Sequence, residues 1–425
     1  MTAPVSPFSI RDFRFLWGAR FASTVAQNGM VVVIGWQVYD LARRTMAPKE
    51  AAFQLGMVGV CQFLPLAILT LVTGWTADRV DRRRIAQITL TTEAMCALVL
   101  GLHAWTGSSS LWVIYLVAAT LGVARAFAGP AIGALAPNLV PPAVLPRAIA
   151  ASSVAWQIGG IGGPALGGYL YAAAPWLPYA VSGVLFLGAG LSIGMIRPLT
   201  RTTLDRTANP WRQMVEGLHY VRRNRLVLGA ISLDLFAVLL GGATAMLPIY
   251  ARDILQVGAA GLGHLRGAPA IGATLAAIWF SVRPLQSNVG VKMLVAVATF
   301  GTATVVFGLS RWMPLSLFAL AVLGAADMLS VYVRQSLIQL YTPNEMRGRV
   351  GAVSTLFISG SNELGEAESG LLAALIGAMP AVVLGGIGAI GITLLWSVLF
   401  PELPRARTFD PPKSREDVPT EEMVA

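Results

Sequence analysis

Apolar runs of roughly 20 residues recur along the chain, broken by short polar interruptions, and each run is long enough to cross a bilayer as a helix. They fall at about 14–42, 53–75, 84–106, 111–136, 146–173, 177–196, 226–250, 261–282, 291–310, 314–340, 349–377 and 379–400. The pattern predicts an all-α membrane protein of twelve transmembrane helices. The longest interruption, Arg197 to Arg225, divides them into a first six-helix half (1–196) and a second (226–400). Within this 197–225 linker, Pro210 opens an amphipathic stretch. Trp211, Met214, Val215, Leu218 and Val221 share one face, which predicts a helix lying on the membrane surface. The charged stretch 401–425 reads as a disordered tail.

Composition agrees with this reading: 55% of the 425 residues are hydrophobic and 12% charged, and the mean hydropathy is +0.66. That is too apolar for a soluble domain with a polar skin. A net charge of +10 raises nucleic acid as a partner, but the basic residues sit in short loops between apolar runs. With both termini on the cytoplasmic side, that side holds 22 of the 31 Lys and Arg, and the far side holds six: Arg43, Arg44, Lys49, Arg252, Arg266 and Arg311. This asymmetry is the positive-inside signature, so cytoplasmic termini are expected and nucleic-acid binding is not. Cys61 and Cys96 both fall inside apolar runs, which gives no disulfide framework or metal knuckle. Met1 to Phe15 lacks an apolar core followed by a cleavage site, and no removable signal peptide is expected.

The halves repeat. A shift of 202 residues places Pro141 on Pro343, Arg147 on Arg349, Gly163 on Gly365 and Gly168 on Gly370. A shift of 211 places Arg14 on Arg225, Gly18 on Gly229 and Tyr39 on Tyr250, a weaker match. Two parallel halves around a central cavity are one known transporter plan.

Gly74 to Arg84, G-W-T-A-D-R-V-D-R-R-R, occupies the turn between the second and third runs. It resembles the signature loop of the major facilitator superfamily, G-x-L-A-D-R-x-G-R-K/R, with Thr76 in place of Leu and Asp81 in place of Gly. Here Gly74 allows close helix approach, Asp78 can pair with a facing helix terminus, and Arg79 and Arg82 anchor at headgroups, a gating loop in the family. The equivalent loop of the second half, Arg283 to Lys292, keeps little beyond Gly290 and a base. Gly159, Gly163, Pro164, Gly167 and Gly168 resemble the superfamily's G-x(3)-G-P-x(2)-G-G antiporter element, although close helix packing alone also explains such small residues. With T-P-N-E-M-R-G-R-V at Thr342 to Val350, the chain looks closest to the branch that holds the enterobactin exporters and effector-secretion transporters. This resemblance covers Phe8 to Pro404. It implies the major facilitator fold, alternating access, a bacterial inner-membrane location, a monomer, and export of an amphipathic organic solute such as a siderophore or drug.

Charges inside the runs carry the chemistry, because an ionised group at mid-bilayer costs on the order of 3 kcal/mol even on permissive scales. Ser361 to Gly370 reads S-N-E-L-G-E-A-E-S-G. At helical spacing Asn362, Glu363 and Glu366 share a face with Gly370, while Glu368 lies about 200° from Glu366. Glu363 and Glu366 are therefore the candidate proton-coupling carboxylates, since burial raises a carboxyl pKa and lets it load and release a proton. Arg20, Gln27, Asn28, Gln62, Glu93, Arg125, Asp234, Asp327, Arg334 and Asn362 are candidates to line a cavity, with structural ion pairing as the plain alternative; Arg20 and Asp234 also suit a gate pair.

Other signals exclude. Gly386, Gly388 and Gly391 spell G-x-G-x-x-G inside a continuous apolar run, without the strand-turn-helix that nucleotide binding needs, and no G-x(4)-G-K-[ST] loop exists for ATP hydrolysis. His103, His219 and His264 lack ligand spacing, so neither metal nor cofactor is expected and no catalytic arrangement marks an enzyme. A proton-coupled importer of a small metabolite and a lipid or lysolipid flippase fit the same fold. A non-transporting receptor or scaffold needs no carboxylates at mid-membrane.

Overall fold

The computed structural model describes residues 6–133, 135, 139–141, 144–197, 210–283, 285, 287–343 and 346–409. Within its helices the side chains of 70–79, 130, 133, 146, 150, 210, 211, 213, 359 and 363 lie outside that description. Thirteen long helices are described: α1 (Arg11–Ala42), α2 (Pro48–Arg79), α3 (Arg82–Trp105), α4 (Leu111–Gly133), α5 (Leu145–Ala173), α6 (Leu177–Gly194), α7 (Pro210–Arg223), α8 (Arg225–Leu240), α9 (Gly258–Val282), α10 (Val289–Leu309), α11 (Met313–Tyr341), α12 (Arg347–Ile376) and α13 (Ala378–Leu399). Among the described residues there is no strand. Local chemistry sets the ends. Asp81 accepts a 2.9 Å hydrogen bond from the Arg83 amide at the start of α3, so the residue standing where the signature loop has Gly serves as an N-cap. Gly377, at φ +98°, is the single residue between α12 and α13, a left-handed turn that a side chain would strain.

Nine helices among the described residues are long and apolar enough to cross a membrane. Besides the linker helix α7, the helices that fall short of that measure are α1, α5 and α12, which carry the polar stripe, the glycine-proline element and the glutamates. They escape the apolar requirement because they pack on other helices: α1 on α5, α5 on α9, and α12 on α2.

Each half has its own core. In the first, Leu16, Met30, Leu90, Leu100, Ile114 and Phe186 are buried together; in the second, Leu233, Met293, Val333 and Leu337. A further cluster mixes the halves, with Trp36, Tyr39 and Leu55 packing with Met246, Tyr250, Leu262 and Phe307 at the end of the bundle remote from the linker. The halves meet there through glycine. A Cβ on Gly370 of α12 would lie 2.3 Å from Gly56 Cα on α2, and one on Gly168 of α5 would lie 2.5 Å from the Ala259 carbonyl on α9. The other glycines of the α5 element press on α1: Gly159 against Thr24, Gly163 against Val25 and Gly167 against Gly29. Pro164 is buried, and its carbonyl faces Gly263 of α9.

Two expectations need correction. Helix α7 does not spread its whole apolar face on a bilayer. Met214 and Val221 pack with Ile338, Val350 and Val353 at the ends of α11 and α12, Tyr220 Oη donates to the Tyr341 carbonyl at 2.7 Å, and Glu216 pairs with Arg349 at 2.7 Å. Val215 and Leu218 remain exposed. The reason is that the second half ends in apolar surface that the predicted face can bury. Nor is the whole of 401–425 loose: Leu403 is fully buried, Gly290 donates to the Ala406 carbonyl at 3.0 Å, and Arg225 pairs with Glu402 at 2.8 Å. Residues 410–425 lie outside the described part.

Candidate functional site

Between the halves lies a small cavity of about 50 Å³. Its walls are Val31, Val32 and Gly35 of α1; Leu55, Val58, Gly59 and Gln62 of α2; Thr244, Ala245, Leu247 and Pro248 after α8; Leu262 and Arg266 of α9; and Glu366 of α12. A mostly apolar cavity with a few convergent polar groups is the usual form of a small-molecule site.

The charged pair in it has a structural origin. Gly241 and Gly242 end α8, the chain continues as a short 3-10 turn (Ala243–Met246), and Pro248 lies just beyond. The break frees carbonyls from the helical ladder. Arg266 Nη1 donates to one of them, Thr244 O, at 2.9 Å, and Arg266 Nη2 lies 3.6 Å from Glu366 Oε1. Their side chains keep 24% and 33% of their surface exposed, so both remain open to the cavity. Arg266, counted above among far-side loop residues, sits two turns inside α9. Its flanking Gly263, Gly267 and Pro269, together with Gly241-Gly242, were the available signal for a broken-helix site.

Gln62 connects this cavity to a second polar group in the first half. Its Oε1 accepts from Arg125 Nη1 of α4 at 2.8 Å, and Glu93 of α3, with no exposed surface, accepts from Gln27 Nε2 of α1 at 2.8 Å. Glu93 Oε2 is buried with no hydrogen-bond partner. In the second half Arg334 of α11 is bonded to Asp234 of α8, the arginine 2% exposed. Neither member of this pair lines the cavity. Asp234 is thus committed to Arg334 and not to a gate with Arg20. Asp327, two turns before Arg334 on the same side of α11, is partly buried, as is Arg20. Asn28 bonds to the Thr24 carbonyl of its own helix at 2.9 Å, and Asn362 is exposed on α12. The side chains of Glu363, Gly74, Asp78 and Arg79 lie outside the described residues; Arg82 is half-buried at the start of α3.

At the end remote from the linker, the cavity is capped by charge. Asp40 of α1 accepts from Arg252 Nε at 3.0 Å, and Asp253 accepts from Tyr39 Oη at 2.5 Å and Arg43 Nε at 3.0 Å. That hydrogen bond pushes the Arg43 guanidinium further up from its ordinary value, so it stays charged. Lys49 Nζ adds a 2.8 Å bond to the Leu375 carbonyl across α2 and α12.

A family described as transmembrane secretion effector matches residues 2–422. The chain belongs to this family. It is 25% identical over 411 residues to the enterobactin exporter EntS of Escherichia coli (strain SMS-3-5 / SECEC), covering 95% of both chains. It is 24% identical over 413 residues to EntS of Shigella dysenteriae serotype 1 (strain Sd197), again over 95% of each. Solved structures show the same fold. A point variant of the nucleoside transporter NupG superposes with a TM-score of 0.75 at 10% identity, over 92% of this chain and 100% of that one. A bacterial homolog of the human lysosomal transporter Spinster, inward-facing and unoccupied, gives 0.67 at 14% identity, over 93% and 97%. This is therefore a multi-pass membrane transporter of the major facilitator type, related to the enterobactin exporters.

Proposed function

We propose that the protein is a proton-coupled exporter of an amphipathic organic solute, a siderophore or drug-like molecule, working by alternating access as an antiporter. The carrying observation is Glu366: a carboxylate from α12 in an apolar-walled cavity between the halves, loosely held by Arg266 at 3.6 Å. Glu366 faces the cavity between the halves, so whichever side the cavity opens to can exchange a proton with it, which ties proton occupancy to the direction the cavity faces. Glu363, one turn earlier on α12, is the second coupling candidate, and Gln62 is the uncharged contact of the first half.

The lysine and arginine asymmetry supports cytoplasmic termini and a cytoplasmic linker, in a monomer of the bacterial inner membrane. With that orientation the capped end is the outer one. The relatives' description as exporters supports the outward direction. Everted vesicles loaded with siderophores or dyes, with and without an imposed proton gradient, test this reading. Gradient-driven uptake is expected from wild type and should be lost on Glu366→Gln or Glu363→Gln, each still folded; unchanged transport in both variants sinks the coupling assignment.

A further inference from the structure

The Arg266 and Glu366 pair also restricts what kind of cargo group the cavity can hold, an inference that rests on the proton-exchange reading above. The separation of 3.6 Å exceeds that of a tight charge-assisted hydrogen bond, about 2.7–2.9 Å. Both groups therefore keep hydrogen-bonding capacity directed at the cavity. Among the described residues that line the cavity, the charged group facing Glu366 is Arg266. Helix α2 presents Gly59 against the Glu366 Cβ and presents Gln62, which Arg125 holds from behind. Helix α1 presents Val31 and Val32, and the break after α8 presents Thr244 and Ala245.

Charge balance separates three classes of cargo group. A cation on Glu366 displaces Arg266 and leaves a guanidinium unpaired against apolar walls, and arginine cannot deprotonate to relieve it. An anion on Arg266 displaces Glu366, which then takes up a proton. Anion and proton would bind together, and linkage makes that co-transport, the opposite of exchange. A neutral group carrying an acceptor and a donor side by side inserts between the two, accepting from Arg266 and donating to Glu366, and leaves both ionised. Protonating Glu366 then removes the charged acceptor and expels the cargo, so proton and cargo compete. We propose that Arg266 and Glu366 form a subsite for a neutral donor-acceptor group of the carboxamide class.

The test uses purified full-length protein and three probes that share one chain: octanamide, octanoate and octylamine. Binding is read as the shift in Tm, and protons with an indicator dye in weak buffer. At a pH low enough that part of Glu366 is protonated before binding, octanamide should stabilise wild type and release protons, with octanoate and octylamine at least tenfold weaker. Arg266→Gln should weaken octanamide at least tenfold, and Glu366→Gln should abolish proton release and make the remaining affinity independent of pH. The second variant keeps the test sound if the first does not fold. No octanamide effect, octanamide binding in both variants equal to that of wild type, or tighter octanoate binding with proton uptake overturns the subsite. Proton-driven transport in vesicles is measured separately: if it persists while the probe series fails, the subsite falls and the exchange reading stands. If the probes behave as expected but transport ignores the gradient, the exchange reading falls.

Discussion

Asp40 of the first half and Arg252 of the second lie 3.0 Å apart across the pseudo-symmetric ends of α1 and the segment after α8. The contact is reciprocal, since their chain neighbours Tyr39 and Asp253 bond in the reverse sense at 2.5 Å. Two adjacent residues from each half thus lock together, with Arg43 joining at 3.0 Å. Partly exposed pairs are each worth about 0.2–1 kcal/mol, so the seal is reversible. Asp253→Asn disturbs two donors at once, Tyr39 and Arg43, and should open this end several-fold more often. With Cys61 and Cys96 replaced by Ser, a cysteine at Leu55 inside the seal should react correspondingly faster with an impermeant maleimide. Arg252→Gln, which removes the donor to Asp40, should raise the rate as well, and an unchanged rate in Asp253→Asn removes the seal from the mechanism.

The same closure depends on the Gly56 and Gly370 crossing. Any Cβ at 370 would meet the Gly56 backbone at 2.3 Å, which backbone atoms cannot yield to without separating α2 from α12. Overpacking of this kind costs about 1–3 kcal/mol. Gly370→Val should raise maleimide access at the same reporter by roughly ten-fold, given about 1.4 kcal/mol per factor of ten, while the separate cores of the two halves keep the protein folded. Size-exclusion profile and reporter rate together check this.

The all-helical membrane architecture was legible because bilayer thickness and the hydrophobic period leave few alternatives. The cavity was legible in part. Glu366 stood out as a charge where apolar residues belong, and Gln62 as an amide in the same position. Arg266 was missed because, near the start of the run at 261–282, it counted with the far-side basic residues, while its partner Glu366 lies 100 positions away in sequence. Asp234 and Arg334 could not be separated from cavity residues, since their pairing joins positions 100 apart in sequence, which spacing on one helix cannot reveal. The folding back of 401–409 was hidden for a similar reason, because the partners of Leu403 and Ala406 lie on α8 and α10.

The buried Arg334 and Asp234 pair predicts a stability effect without a transport signature. Removing Asp234 leaves a guanidinium with 2% exposure whose charged neighbour is then Asp327 alone among the described residues, at a cost of up to about 3–5 kcal/mol. Asp234→Asn should lower Tm sharply or prevent folding, whereas Asp234→Leu with Arg334→Met should recover most of the loss. If Asp234→Asn instead folds normally and loses only transport, the pair belongs to the transport machinery.

Glu93 makes the opposite test. Its Oε1 is bonded to Gln27, its Oε2 is buried without a partner, and Arg125 lies between it and the cavity residue Gln62. Glu93→Gln keeps the size of the side chain but removes the charge opposing Arg125, which must then rely more on Gln62. Because Gln62 lines the cavity wall, the effect should reach cargo binding: apparent KM for a transported dye should rise several-fold, with a smaller change in maximal rate. Glu93→Leu, which loses the bond to Gln27 as well, should add a fall in Tm corresponding to about 1 kcal/mol for that hydrogen bond. An unchanged KM in Glu93→Gln would show that the polar network of the first half is structural and ends at Gln62.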